Sequence, residues 1–196
     1  MIEMNIQKQR ATAKAAVREL TGRHLRHLRS GRPLIGKAAD ISVTHRDSVI
    51  GVGLVPAPYR IGIDIEQIAP DIQSDLFVGP CMSAAEVSAA ASFCYAHGLD
   101  AVSGVAVIWS LKEAFFKCLD HDLKPRKIMV RSISKKGRVV LRISDEIAQV
   151  MQERKFKIHF AQVSVRKGYI FSQVVMVGIS DKKTTFKKKI VLVQSR

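Results

Sequence analysis

Asp64 and Glu66 lie two positions apart in Arg60-Ile61-Gly62-Ile63-Asp64-Ile65-Glu66, where isoleucine alternates with small or acidic residues. In an extended strand that alternation puts the three isoleucines on one face and both carboxylates on the other. Backbone spacing then sets the carboxylates roughly 6–7 Å apart, near enough to share a hard cation once the side chains lean together. Without a cation they repel. Two readings stand: a divalent-ion site, or an acidic strand face turned to water. Gly62, on the carboxylate face, predicts room beside them for a ligand.

Two further segments carry chemistry. In Trp109-Ser110-Leu111-Lys112-Glu113-Ala114-Phe115-Phe116-Lys117, helical periodicity buries Ile108, Leu111, Phe115 and Cys118 and leaves Trp109, Glu113 and Lys117 together on a neighbouring face. Glu113 there is a third metal ligand or a base with a cation one turn on. The alternative is a surface ion pair contributing only about 0.2–0.5 kcal/mol. Asp40-Ile41-Ser42-Val43-Thr44-His45 is a strand ending in a hydroxyl and an imidazole, close behind the turn Gly31-Arg32-Pro33. Both segments could hold a phosphate; a histidine at a hairpin tip is otherwise a solvated residue.

The elements that must position these residues follow from periodicity and breakers. Gln7–Arg23, with Ala13, Ala16, Val17 and Leu20 at helical spacing, is a basic amphipathic helix ending near Gly22. Ile41–Val55 is a hairpin interrupted at Arg46-Asp47-Ser48 and stopped by Pro56 and Pro58. Ser83-Ala84-Ala85-Glu86 is a capping box opening a helix that ends at Gly98, and Val105–Leu119 is the next helix. Lys127–Ser134 and Arg138–Ser144 read as strands, Asp145–Arg154 as a helix, and Ile158–Val165 with Tyr169–Gly178 as a second hairpin. The Lys-rich tail Asp181–Arg196 is expected to fray, with Ile190–Val193 available as an edge strand. Val43–Ile50 can be laid on Val163–Ile170, hairpin on hairpin; two related lobes or chance similarity account for that echo.

The chain has 196 residues, 47% of them apolar, so disorder is excluded as the default state and one domain or two small lobes is expected. No window approaches the roughly 20 apolar residues of a spanning helix, and Met1–Arg10 is too polar for a signal-peptide core. A soluble cytoplasmic protein is expected. Cys81, Cys94 and Cys118 form no C-x-x-C pair and read as reduced, buried thiols. Of the net charge of +15, residues 1–100 hold +1 (11 Lys/Arg, 10 Asp/Glu) and residues 101–196 hold +14 (21 and 7). That half should attract anions: nucleic acid, phosphate-bearing small molecules, anionic lipid or an acidic protein. A basic nucleic-acid-binding module without catalysis is therefore the alternative reading. The 12 aromatic residues argue against it, because they sit mostly in apolar runs instead of among basic residues as stacking platforms require.

Taken in order, Gly31-Arg32-Pro33, Val43-Thr44-His45, Gly62-Ile63-Asp64-Ile65-Glu66 and Trp109–Lys117 resemble the 4′-phosphopantetheinyl transferases of the surfactin-synthetase-activating type, with hallmarks G-K-P, S-x-S-H, G-[IV]-D-I-E and W-x-x-K-E-[AS]-x-x-K. The resemblance spans about residues 8–180. It implies an α+β fold of two similar lobes, a pseudo-twofold pair of antiparallel sheets packed with helices, with the active site in the cleft between them. The lobes would be 1–59, which is short, and 60–180, which carries the metal site, followed by a basic tail 181–196.

The implied reaction is Mg²⁺-dependent transfer of 4′-phosphopantetheine from coenzyme A to a serine of an apo acyl or peptidyl carrier protein, releasing 3′,5′-ADP. Asp64, Glu66 and Glu113 would ligate Mg²⁺, and Glu113 would also deprotonate the serine directly or through water. Lys117 would hold the phosphates, and Glu113, Lys117 and His45 make up the implied catalytic set. Arg32, Thr44 and His45 would bind the phosphate groups of coenzyme A, with Arg10 a weaker candidate. The implied partner is an acidic carrier protein, with no nucleic acid and no membrane, and the enzyme would be a monomeric pseudo-dimer. The chain departs from the pattern in its short first lobe, where Arg18, Arg23 or Arg26 would replace the basic residues for the 3′-phosphate. It departs again in Leu119-Asp120-His121-Asp122, which replaces a glycine-rich turn, and in Arg46 after the motif histidine.

Overall fold

β-branched runs on either side of short polar turns fold as hairpins, and the helices lie across them. The computed structural model describes residues 2–68, 77–121, 124–179 and 189–194. In chain order these form α1 (Ile2–Thr21), a small pair β1 (Arg26–His27) and β2 (Pro33–Leu34), β3 (Ala39–Arg46), β4 (Val49–Pro56), β5 (Tyr59–Gln67), α2 (Ala84–Ala96) and α3 (Ser103–Leu119). β6 (Ile128–Ile133), β7 (Val139–Ile143), α4 (Asp145–Glu153), β8 (Phe156–Arg166), β9 (Tyr169–Gly178) and β10 (Lys189–Gln194) complete the order. The class is α+β with antiparallel sheets, as expected. Among the described residues no helix is long and apolar enough to cross a membrane.

The hairpin echo is structural. β3 and β4 meet through Asp47-Ser48 and β8 and β9 through Lys167-Gly168, with Asp47 (φ 50°) and Lys167 (φ 48°) left-handed at the same place in each turn. Each hairpin then takes its third strand from the other half of the chain. β5 follows the first hairpin but pairs with β9, and β10 follows the second but pairs with β4, giving the orders β10-β4-β3 and β5-β9-β8. The registers match: Gln67 stands opposite Tyr169, and Gln194 opposite Val49, the first residue of each second hairpin strand. Residues 189–194, part of the tail expected to fray, are therefore a strand. The reason is that the outer edge of β4 would otherwise present an unpaired ladder of N–H and C=O groups. The expectation of an edge strand at Ile190–Val193 holds.

Between the sheets, β3 and β5 run side by side, joined by side chains where a backbone ladder is missing. Asp40 Oδ2 accepts from Ile61 N (2.7 Å), Ser42 Oγ accepts from Ile63 N (3.1 Å), and Thr44 Oγ1 donates to Asp64 Oδ1 (3.2 Å). This seam satisfies the Ile61 and Ile63 N–H groups on the β5 edge where the two lobes meet. α1 covers the first sheet through Ala13, Ala16 and Val17 against Ile41, Ile50 and Val52. α3 covers the second through Ala114, Phe115 and Cys118 against Val174 and Met176.

Gly62 sets how closely α3 lies. A Cβ there would stand 1.9 Å from Ala114 O and 2.5 Å from Cys118 N, so the helix backbone fills the space beside the carboxylates. The expected room for a ligand at Gly62 is corrected accordingly. α2 opens with the expected capping box of Ser83 and Glu86. The Glu86 carboxylate also reaches Lys112 Nζ (2.8 Å) and Val130 N (3.0 Å).

Candidate active site

Asp64 projects from β5 toward the last turn of α3. Its Oδ1 accepts from Lys117 Nζ at 2.6 Å and from Thr44 Oγ1 at 3.2 Å, and Lys117 Nζ also reaches Thr44 Oγ1 at 3.4 Å. The residue is 5% exposed, and Oδ2 is buried with no hydrogen-bond partner among the described residues. The carboxylate is thus paired with Lys117 through Oδ1, and Oδ2 is the atom left open to a donor or a bound cation.

Glu66, two residues on, pairs with Arg46 at 3.4 Å. Burial pushes its carboxyl above the usual range, and the Asp64 charge adds to the rise. Burial likewise raises Glu113 on α3; the Lys117 ammonium opposes that rise and Asp64 reinforces it. The three carboxylates thus sense one another across β5 and α3. Among the described residues, however, no group of three or more Asp, Glu, His or Cys side chains is arranged to hold a metal ion. The strand exchange leaves this as a one-sided site. Asp64 and Glu66 face Ser172 and Ile170, whereas at the matching places of the other sheet Val191 and Val193 face Val52 and Ile50.

Two cavities lie nearby, of which only the first is bordered by Lys117, and neither is lined by Asp64 or Glu66. One, of about 470 Å³, lies where the lobes meet and is walled by Ser42 and Arg32 from the first and by Glu113, Lys117, Asp120 and His121 from the second. The other, of about 550 Å³, lies between α1 and β3 and is lined by Arg10, Lys14, His27 and His45 over apolar Leu25 and Ile50. Gly31, Pro33 and Val43 border both. Glu113, Lys117 and Arg32 therefore share one chamber, Arg10 and His45 the next, and Asp64 and Thr44 meet at the lobe seam. Arg18, Arg23 and Arg26 line neither chamber, and Arg23 Nη1 donates to Ile35 O (3.2 Å).

Arg32 borders the first chamber but directs its guanidinium elsewhere. It donates to the carbonyls of Lys117 and Cys118 and pairs with Asp40 at 2.6 Å. Several residues of the site were missed from sequence. Lys14, one turn beyond Arg10, was open to detection from helical spacing. His27 and His121 carry no local signal. Lys112, the first lysine of the Lys-Glu pair, is fully buried and donates to Cys81 O, Pro125 O and Ile128 O (2.8–3.0 Å), which pins the loops around α3.

Compared with known proteins, residues 60–172 match the family model described as the 4′-phosphopantetheinyl transferase superfamily. No curated protein matches the chain. Among solved structures, the acyl carrier protein synthase–CoA complex of Chronobacterium ammoniagenes is 19% identical, with 62% of this chain and 98% of that chain covered and a TM-score of 0.43. The acyl carrier protein synthase of Mycobacterium tuberculosis is 21% identical (61% and 96% covered, TM-score 0.44). The holo-ACP-synthase of Plasmodium yoelii is 21% identical (62% and 95% covered, TM-score 0.45).

Proposed function

The chain belongs to the 4′-phosphopantetheinyl transferase superfamily, and from that premise we propose a magnesium-dependent enzyme of the surfactin-synthetase-activating type. It moves phosphopantetheine from coenzyme A to a serine hydroxyl of an acidic apo carrier protein. The observation that carries the reading is the buried, unpartnered Oδ2 of Asp64 beside Lys117, with Glu66 and Glu113 near enough that its charge adds to the rise that burial gives their carboxyls. The subtype reading is supported by the four ordered motifs and by two exchanged half-folds within one chain; the same feature supports a monomer. Cys81, Cys94 and Cys118 are free thiols, Cys94 and Cys118 buried and Cys81 only half-buried where burial was expected, which supports a cytoplasmic protein.

The donor set fits magnesium, which commonly takes one or two carboxylates and completes its shell with water and substrate phosphates. Asp64 would hold it through Oδ2; Glu66 and Glu113, which among the described residues do not form a three-carboxylate cluster with Asp64, are the candidates for the further carboxylate contacts. Bound there, it would neutralise charge on the pyrophosphate oxygens.

The chain's own groups supply the rest. Glu113, which borders the chamber beside Lys117, takes the proton from the carrier serine hydroxyl, directly or through water. The serine oxygen forms a bond to the phosphorus that bears pantetheine, and the pyrophosphate P–O bond breaks with its electron pair leaving on 3′,5′-ADP. Lys117 holds a phosphate oxygen at its ammonium. Thr44 orients Asp64, and Arg10, Lys14, His27 and His45 form the basic chamber for the nucleotide phosphates.

The test is incubation with coenzyme A, Mg²⁺ and an apo carrier protein, read by intact mass. The carrier is expected to gain one phosphopantetheine, and a chelator is expected to abolish the gain. Unchanged mass across several apo carriers, with coenzyme A intact, overturns the reading.

A further inference from the structure

Three guanidinium groups from three elements grip the C-terminal end of α3. Arg32, just before β2, donates Nη1 to the carbonyls of Lys117 and Cys118 (3.3 Å to the latter) and pairs through Nη2 with Asp40. Arg60, in β5, donates to Leu119 O at 3.5 Å, stands 3.8 Å from Asp120 and lies over the Phe156 ring. Arg154, which ends α4, donates to Leu119 O at 2.6 Å and Asp120 O at 3.2 Å. The last carbonyls of a helix have no partners within it and carry the negative end of its dipole, so cations are favoured there. Asp120, left-handed at φ 55°, closes the helix at this point.

Lys117 belongs to that last turn. Its backbone is tied to Arg32, while its ammonium reaches Asp64. We propose that Arg32, Arg60 and Arg154 are positioning residues that fix the last turn of α3 and so set where the Lys117 ammonium stands. Arg32 thus acts on the helix end and not on a coenzyme A phosphate. Its side chain is 6% exposed, and both Nη1 and Nη2 are already engaged by the two carbonyls and Asp40. Burial, and after it the repelling charge of Arg32, pulls Arg60 below its usual range. The helix end, Asp40 and Asp120 hold the two together. The inference rests on the transferase reading above.

The experiment makes Arg32→Ala and Arg154→Ala, each alone and each combined with Lys117→Ala. It reads turnover, calorimetric binding of 3′,5′-ADP, and amide hydrogen exchange over residues 116–119. Each single variant should lose about tenfold or more in turnover, since small misplacements of a reacting group are costly. Exchange in the last turn should quicken, and 3′,5′-ADP affinity should stay within about twofold. In the Lys117→Ala background neither variant should add a further loss, because residues acting through one another are not additive.

A roughly tenfold weaker 3′,5′-ADP affinity in Arg32→Ala, with an additive loss in the double variant, overturns the proposal and restores Arg32 as a phosphate ligand. Arg154 is exposed and lines neither chamber, so it carries the test if Arg32→Ala does not fold; unchanged turnover with faster exchange there also overturns it. If the wild-type protein transfers nothing, the transferase reading fails on its own, while the exchange and nucleotide-binding arms still decide the clasp.

Discussion

Glu66 and Glu113 carry carboxyls that burial holds above the ordinary value of 4.5. Between that value and the raised ones the folded protein binds more protons than the unfolded chain, so without divalent ions its stability falls as pH rises through that window. Mg²⁺, by taking the ionised forms, should reverse the loss. The melting temperature at neutral pH is expected to rise with added Mg²⁺ in wild type and to stay unchanged in Asp64→Ala; identical behaviour of the two would remove the ion from this site. Asp64→Ala and Glu113→Ala should also lose turnover by on the order of a hundredfold or more with circular dichroism unchanged, since each removes a group beside developing phosphate charge. Near wild-type rates in both would reduce these carboxylates to surface charges.

At the scale of elements, the glycines of β4 and β5 make a graded test of packing. Ala at Gly62 would drive a methyl into the backbone of α3, 1.9 Å from Ala114 O, whereas Ala at Gly53 meets the end of the Ile61 side chain at 2.9 Å. Gly62→Ala should therefore cost about 3 kcal/mol or more and Gly53→Ala about 1 kcal/mol, measured by chemical denaturation. Comparable losses at the two positions would show that α3 can lift away from β5. α3 itself was legible in the sequence, expected over 105–119 and observed over 103–119, because apolar periodicity reports burial directly. What lies against Gly62 was not legible, since an absent side chain leaves the same trace whether it makes room for a ligand or for a helix. Arg32 shows the same limit. Its residue type states that a carboxylate, carbonyl or phosphate is near, and only the fold shows that Asp40 and the end of α3 occupy it.

For the molecule as a whole, the uneven charge bears on encounter with the carrier. The second half holds +14 of the net +15, and Lys124 and Arg126, just beyond α3, are exposed. Rim charges act mainly on association and are screened over roughly 8–10 Å near physiological salt. Raising salt should raise KM for the carrier far more than KM for coenzyme A. Lys124→Glu or Arg126→Glu should do the same with little loss of maximal rate, and nucleic acid should compete only weakly. Equal salt effects on both substrates, or nucleic acid bound more tightly than the carrier, would assign the basic half to another partner.

The exchanged strands also tie biosynthesis to architecture. On a ribosome that delivers the chain from its N-terminus, β4 emerges early, yet its outer neighbour β10 is not delivered until residues 189–194. Throughout elongation the early sheet carries an open, β-branched edge, of the kind that recruits foreign strands. Pairing across so long a stretch of chain is also a slow closure. A nascent or prematurely stopped chain would therefore fail first in the half made first, and a holding chaperone would be needed most at β4.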